Sequence, residues 1–235
     1  MKTYRKTAII VGILFIIGTL TGVLSMMVTA PIKAAPTYPL NVSASEPQWI
    51  LGTLLILVMG FSLAMVPVFL YPILKKHNQA LALGSVVFRG VLEAVCYMGT
   101  VISYFLLLNL SQVYGKSPVA EPSLQALGSS LTATGVWFTL LLGLVFSVGA
   151  AMIYLQCFQT RLVPRWLSGW GFIGAILYFI AHLEGMFGAQ QVLSFGTGLG
   201  FLMAPLAIQE MVFAVWLIVK GFNPAAFAAL YAKTE

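Results

Sequence analysis

Polar and basic residues cut this chain into six apolar runs, at about 7–29, 49–74, 80–110, 130–158, 166–188 and 193–219. Each is near or beyond the ~20 residues that a helix rising 1.5 Å per residue needs to cross roughly 30 Å of hydrocarbon. The pattern predicts an all-α polytopic membrane protein, a six-transmembrane-helix bundle forming one domain over residues 1–235. The third and fourth runs exceed the bilayer thickness, so they tilt or emerge from it. Two segments between runs, 30–48 with Pro31, Pro36, Pro39 and Pro47, and 111–129, lack periodicity. Each is long enough for a short lid over the bundle and too short for a second domain.

Composition agrees with the pattern. Of 235 residues, 60% are hydrophobic against roughly 45–50% in soluble domains, and the mean hydropathy is +0.98. Lys2, Arg5 and Lys6 followed by an apolar run resemble a signal peptide. That run of about 22 residues passes the roughly 7–15 of a signal core, so it is read as a retained helix.

The formal charge of +6 would suggest nucleic acid in a soluble chain; here the basic residues sit at helix ends and orient the protein instead. Lys2, Arg5, Lys6, Lys75, Lys76, Arg161, Arg165, Lys220 and Lys233 fall on one side, while Lys33 and Lys116 fall on the other. By the positive-inside rule both termini are expected in the cytoplasm, with no nucleic-acid partner. Trp49, Trp166 and Trp170 are expected at the bilayer boundaries.

Only 8% of residues are charged, so Arg89 and Glu93 inside the third run stand out. Intramembrane charges face the protein interior, and they are paired or used. Counting helical rise from the basic side puts Arg89 at a depth of roughly 16 Å, Glu93 at roughly 22 Å and Glu210 at roughly 15 Å. Arg89 and Glu210 therefore share a level on different helices, and Glu93 follows Arg89 by four residues, the spacing of a same-helix ion pair. His182 reaches the level of Glu93, close enough for a contact if helices three and five touch. A cluster of Arg89, Glu93, Glu210 and His182 is thus expected, as an ion-pair pin or as a ligand-binding site. One arginine with two carboxylates leaves a negative charge in excess; either one carboxyl holds a proton, or a cation or ligand group completes the site.

Pro67 and Pro205 are expected to kink helices two and six, with Pro205 freeing the Phe201 carbonyl. Gly18 and Gly22 form a helix-packing face, and Gly196, Gly198 and Gly200 pack closely rather than cradling a nucleotide. Glu184 is expected in water at the outer boundary. The chain contains no Asp, and His77 and His182 lie at opposite faces, which argues against haem and zinc. No metal, no cofactor and no catalytic set is expected.

Four stretches are familiar in combination. They are Tyr71-Pro72-Ile73-Leu74-Lys75-Lys76-His77-Asn78, Phe88-Arg89 through Glu93-Ala94, Arg161-Leu162-Val163-Pro164-Arg165-Trp166-Leu167, and Gln209-Glu210-Met211 leading to Trp216-Leu217-Ile218-Val219-Lys220-Gly221-Phe222. Together they resemble the bacterial membrane family called domain of unknown function 4386, over nearly the whole chain. The resemblance implies a six-helix bundle in the bacterial cytoplasmic (inner) membrane. It brings no established activity and no catalytic residues.

Three functions compete. The first is binding or sensing of a membrane lipid or apolar small molecule near the Arg89 cluster, with membrane lipid as partner. The alternative is a proton-coupled or small-solute transporter, for which six spans allow an inverted repeat. An intramembrane enzyme using Glu93 or Glu210 with His182 is the least supported by the sparse set of groups, and an oligomer is compatible with all three.

Overall fold

The computed structural model describes residues 2–116, 122–187 and 199–232, and every regular element among them is helical. In chain order these are α1 (Lys2–Lys33), α2 (Glu46–Leu74), α3 (Gln79–Ser85), α4 (Glu93–Lys116), α5 (Pro122–Thr160), α6 (Arg165–Phe187), α7 (Ala204–Val219) and a short α8 (Pro224–Ala232). A π-helical turn, Val86–Leu92, joins α3 to α4 into one continuous span from Gln79 to Lys116. Six spans are long and apolar enough to cross a membrane, so the chain is a multi-pass membrane protein. Helix is the form such segments must take, because hydrocarbon offers no partner to an exposed N–H or C=O.

Local chemistry sets several ends. Pro47 lies in the first turn of α2, where its missing N–H costs nothing. The Asn78 side chain accepts the Leu81 N–H at 3.0 Å and starts the third span. Gly221, at φ 74°, turns the chain after α7 in a backbone region that favours glycine.

The spans form a ring that follows chain order. α1 packs on α2, α2 on the third span, that span on α5, α5 on α6, α6 on α7, and α7 closes back on α1. Gly18 and Gly22 let α1 approach α2 as expected, facing Leu63 and Met59. One end of the ring is tied by His77 Nε2 and Gln159 Oε1 at 2.8 Å, and by the Asn223 N–H donating to the Leu162 carbonyl at 2.8 Å. Arg5, Lys75, Lys76, Arg161, Arg165 and Lys220 collect at that end, and Lys33 and Lys116 at the other.

The structure departs from expectation at three places. Pro205 sits in the first turn of α7, so it begins that helix rather than kinking it. The Phe201 carbonyl is not freed, because it accepts the Ala204 N–H. Trp49, in the first turns of α2, is fully buried, and its indole N–H donates to the Tyr104 carbonyl at 2.9 Å. The outer connections are also more helical than their composition suggests, with α1 running to Lys33, α4 to Lys116 and α5 starting at Pro122. What remains of the first outer segment lies across α4. There Ser111 Oγ donates to the Leu40 carbonyl at 2.8 Å and accepts the Ser43 N–H at 2.8 Å. Residues 193–198 of the sixth run, with Gly196 and Gly198, lie outside the described residues, as do Gly188 and Lys233.

Candidate functional site

Arg89 is carried by the π turn on the third span, and Glu210 by the first half of α7. In a ring of six, the third and sixth positions are opposite, so a bond between them must cross the middle. An arginine is long enough to do this. Its Nη2 donates to Glu210 Oε1 at 2.7 Å, with Arg89 fully buried and Glu210 nearly so. Tyr154 Oη, from α5, approaches the same carboxylate oxygen at 3.4 Å, a long and weak contact.

The rest of the guanidinium meets aromatic faces. Its carbon lies 4.4 Å from the Phe146 ring centroid and 5.2 Å from that of Phe15, so α5 and α1 sandwich it. Nε and Nη1 have no hydrogen-bond acceptor among the described residues; the negative ring faces supply the attraction instead, at about 0.5–2 kcal/mol for each ring. Phe213 stacks edge-on against both Phe15 and Tyr154, at 5.8 and 5.5 Å. The cage therefore draws on α1, α5 and α7 besides the span that carries Arg89.

Gly149 is what lets the π turn come so close to α5. A Cβ built there would lie 2.7 Å from both the backbone N and the Cβ of Arg89. Contacts of that length do not occur for real side chains, and the obstructing atoms belong to a packed backbone that cannot swing away. Glycine at 149 is a requirement of the site.

Glu93 joins the cluster only by proximity. It is buried, and neither carboxyl oxygen has a hydrogen-bond partner among the described residues. The expected same-helix pair with Arg89 does not form. The guanidinium points across the ring to Glu210 and lies between the Phe15 and Phe146 rings instead.

The expected contact of His182 with Glu93 is also absent. α5 packs against both the third span and α6 and separates them. His182 Nδ1 donates to the Tyr178 carbonyl of its own helix at 2.9 Å, and its ring stacks on the Tyr178 ring at 4.3 Å. The ring lies directly on Gly143 of α5. This is a packed, hydrogen-bonded histidine. Glu184, two residues on, is exposed.

Residues that the sequence did not single out complete the centre. Phe15, Phe146, Tyr154 and Phe213 are four aromatics among 13% of the chain, and nothing in their spacing marks them. Gln209 is buried beside Glu210; its amide donates to the Leu167 carbonyl at 3.0 Å, and its own Oε1 has no partner among the described residues. No group of three or more metal-ligating side chains occurs among the described residues.

α7 has a second face. Glu210, Phe213, Ala214 and Leu217 point inward and are buried, whereas Val215 and Val219 are exposed on the outside. There Met211, Val212, Val215, Trp216, Val219 and Lys220 line an apolar groove of about 430 Å³.

The family model described as "Domain of unknown function (DUF4386)" matches residues 10–221. No curated protein and no solved structure matches the chain.

Proposed function

The chain belongs to this family of unknown function, and from that premise we propose that it is a binding bundle for membrane lipid or another apolar molecule. The observation that carries the reading is the division of α7 between two faces. Its inner face is held by Arg89, and its outer face offers the groove of Met211, Val212, Val215, Trp216 and Val219. A groove of apolar side chains with a charged group at one end is the usual form of a site for an amphipathic molecule. In this reading the pair of Arg89 and Glu210, with Glu93 nearby and His182 packed apart on α6, fixes where α7 stands and so fixes the groove. The chain lies in a bacterial cytoplasmic membrane with both termini inside, which the nine-to-two excess of Lys and Arg on one side supports. Extraction and mass spectrometry of lipid from the purified protein test the reading. Retained lipid, lost when Val212→Trp and Val215→Trp fill the groove, is the expected result; a protein that leaves the membrane without lipid contradicts it.

One observation favours a second reading, transport coupled to protons. Glu93 is a buried carboxyl whose oxygens have no hydrogen-bond partner among the described residues, next to a π turn of the kind that recurs at functional sites. Proteoliposome flux that falls with Glu93→Gln would support it, and flux indifferent to that change would end it.

A further inference from the structure

The groove on α7 does not stop at the helix end. Trp216 and Lys220 line it and also line a second cavity, of about 690 Å³, at the basic end of the ring. This cavity is walled by the turn between α5 and α6 and by the turn between α7 and α8, from Arg161 to Arg165 and from Lys220 to Pro224.

Three cations stand around it: Arg161, Arg165 and Lys220, all exposed. None has an ion-pair partner among the described residues. The nearby Arg5 is different, because its guanidinium is spent on the Leu217, Ile218 and Val219 carbonyls that end α7. No carboxylate among the described residues lies at this end: Glu46 and Glu184 belong to the opposite end, and Glu93 and Glu210 to the interior. The cavity therefore has positive charge that no carboxylate among the described residues neutralises.

Arg161 adds a second sign. It follows α5 with φ 57°, in the left-handed region that glycine normally occupies after a helix. An arginine there bears a backbone cost that glycine would avoid, and its side chain is aimed from the turn that walls the cavity. Trp216, set edge-on against Trp166 at 6.2 Å, sits where charge gives way to hydrocarbon, the level at which indoles favour the bilayer interface.

We propose that the two cavities are one site for an acidic phospholipid, its phosphate held among Arg161, Arg165 and Lys220 and one acyl chain laid along Val212, Val215 and Val219 of α7. The inference rests on the reading of the α7 groove as a lipid site and adds the choice of headgroup. Basic pockets at the cytoplasmic level between membrane helices suit such headgroups, because each cation near an anionic lipid surface adds attraction that water alone would screen. A zwitterionic lipid would fill the same groove, but its own ammonium would stand among three cations.

Quenching of Trp216 by brominated acyl chains tests this. The full chain is reconstituted in phosphatidylcholine vesicles with a minor share of phosphatidylglycerol, and one lipid or the other is brominated. The Trp216 signal is the difference between the native chain and Trp216→Phe. Brominated phosphatidylglycerol should quench at least about fivefold more per mole than brominated phosphatidylcholine, the factor expected from a single cation's attraction. Replacing Arg161, Arg165 and Lys220 with Gln should bring the ratio to about one while phosphatidylcholine still quenches, whereas Arg165→Lys should keep the preference. Equal quenching in the native chain overturns the headgroup inference and leaves the groove standing. Quenching by neither lipid overturns the groove itself. Loss of the preference on adding inorganic phosphate makes the cavity a site for free anions and overturns the assignment to lipid.

Discussion

Arg89 and Glu210 lie 121 residues apart in the chain, and their side chains meet at 2.7 Å across the middle of the helix ring. The two spans that carry them are separated on either side by two others, so direct helix packing does little to set their relative height. The ion pair does. Neither partner is left to face hydrocarbon, and the rings of Phe15 and Phe146 complete the arginine's surroundings. The outward groove on α7 inherits its position from this inward bond.

Gly149→Ala tests how closely the site is built. The new Cβ would press on the backbone of Arg89, and overpacking of that kind typically costs about 1–3 kcal/mol. A fall in thermal stability of the purified protein is expected, larger than that of Gly115→Ala, where a Cβ meets open space. Equal effects at the two positions would mean that the π turn is free to move.

Glu93→Gln should leave stability unchanged or raise it. The replaced carboxyl has no hydrogen-bond partner among the described residues, so an amide of the same shape loses no contact seen there and removes an ionisable group from a low-dielectric site. A marked drop in melting temperature would show that Glu93 is needed to balance the charge of Arg89.

Tyr38 gives a prediction in pH. It lies in the outer segment between α1 and α2, and burial raises its phenol above the ordinary value of 10.0, with the Thr132 side chain opposing and Tyr104 adding to the rise. The folded protein thus holds this proton more tightly than the unfolded chain does. Its contribution is fully present below pH 10.0 and is lost as the pH climbs through the higher folded value. Tyr38→Phe should flatten the alkaline fall of the melting temperature. An unaltered profile would place the loss elsewhere.

Much of this was legible from residue patterns, and the reasons are physical. Hydrocarbon thickness and helical rise together translate run length into spans and residue number into depth. That is how Arg89 and Glu210 fall at one level without any knowledge of the ring. Direction around a helix is harder to read. The Glu93 pairing failed because the guanidinium is taken by Glu210 and the rings of Phe15 and Phe146, which lie on other helices and which spacing along the third span does not show. His182 was placed at a plausible height, but only the ring order reveals that α5 stands between it and Glu93. Pro205 reads as a mid-helix kink when the sixth run starts at 193, and as a helix start once α7 begins at Ala204. The Trp216 and Lys220 junction needs α7 to be seen end-on, beside a turn some fifty residues earlier in the chain.

A double-mutant cycle on Arg89 and Glu210 tests the central claim most directly. The full chain, Arg89→Met, Glu210→Met and the double variant would be compared by reversible unfolding in mixed micelles. Each single change strands one buried charge and should cost about 3–5 kcal/mol, while the double variant should recover most of that loss. Losses that simply add would contradict the claim, because two residues that do not hold each other cannot pin α7 across the ring.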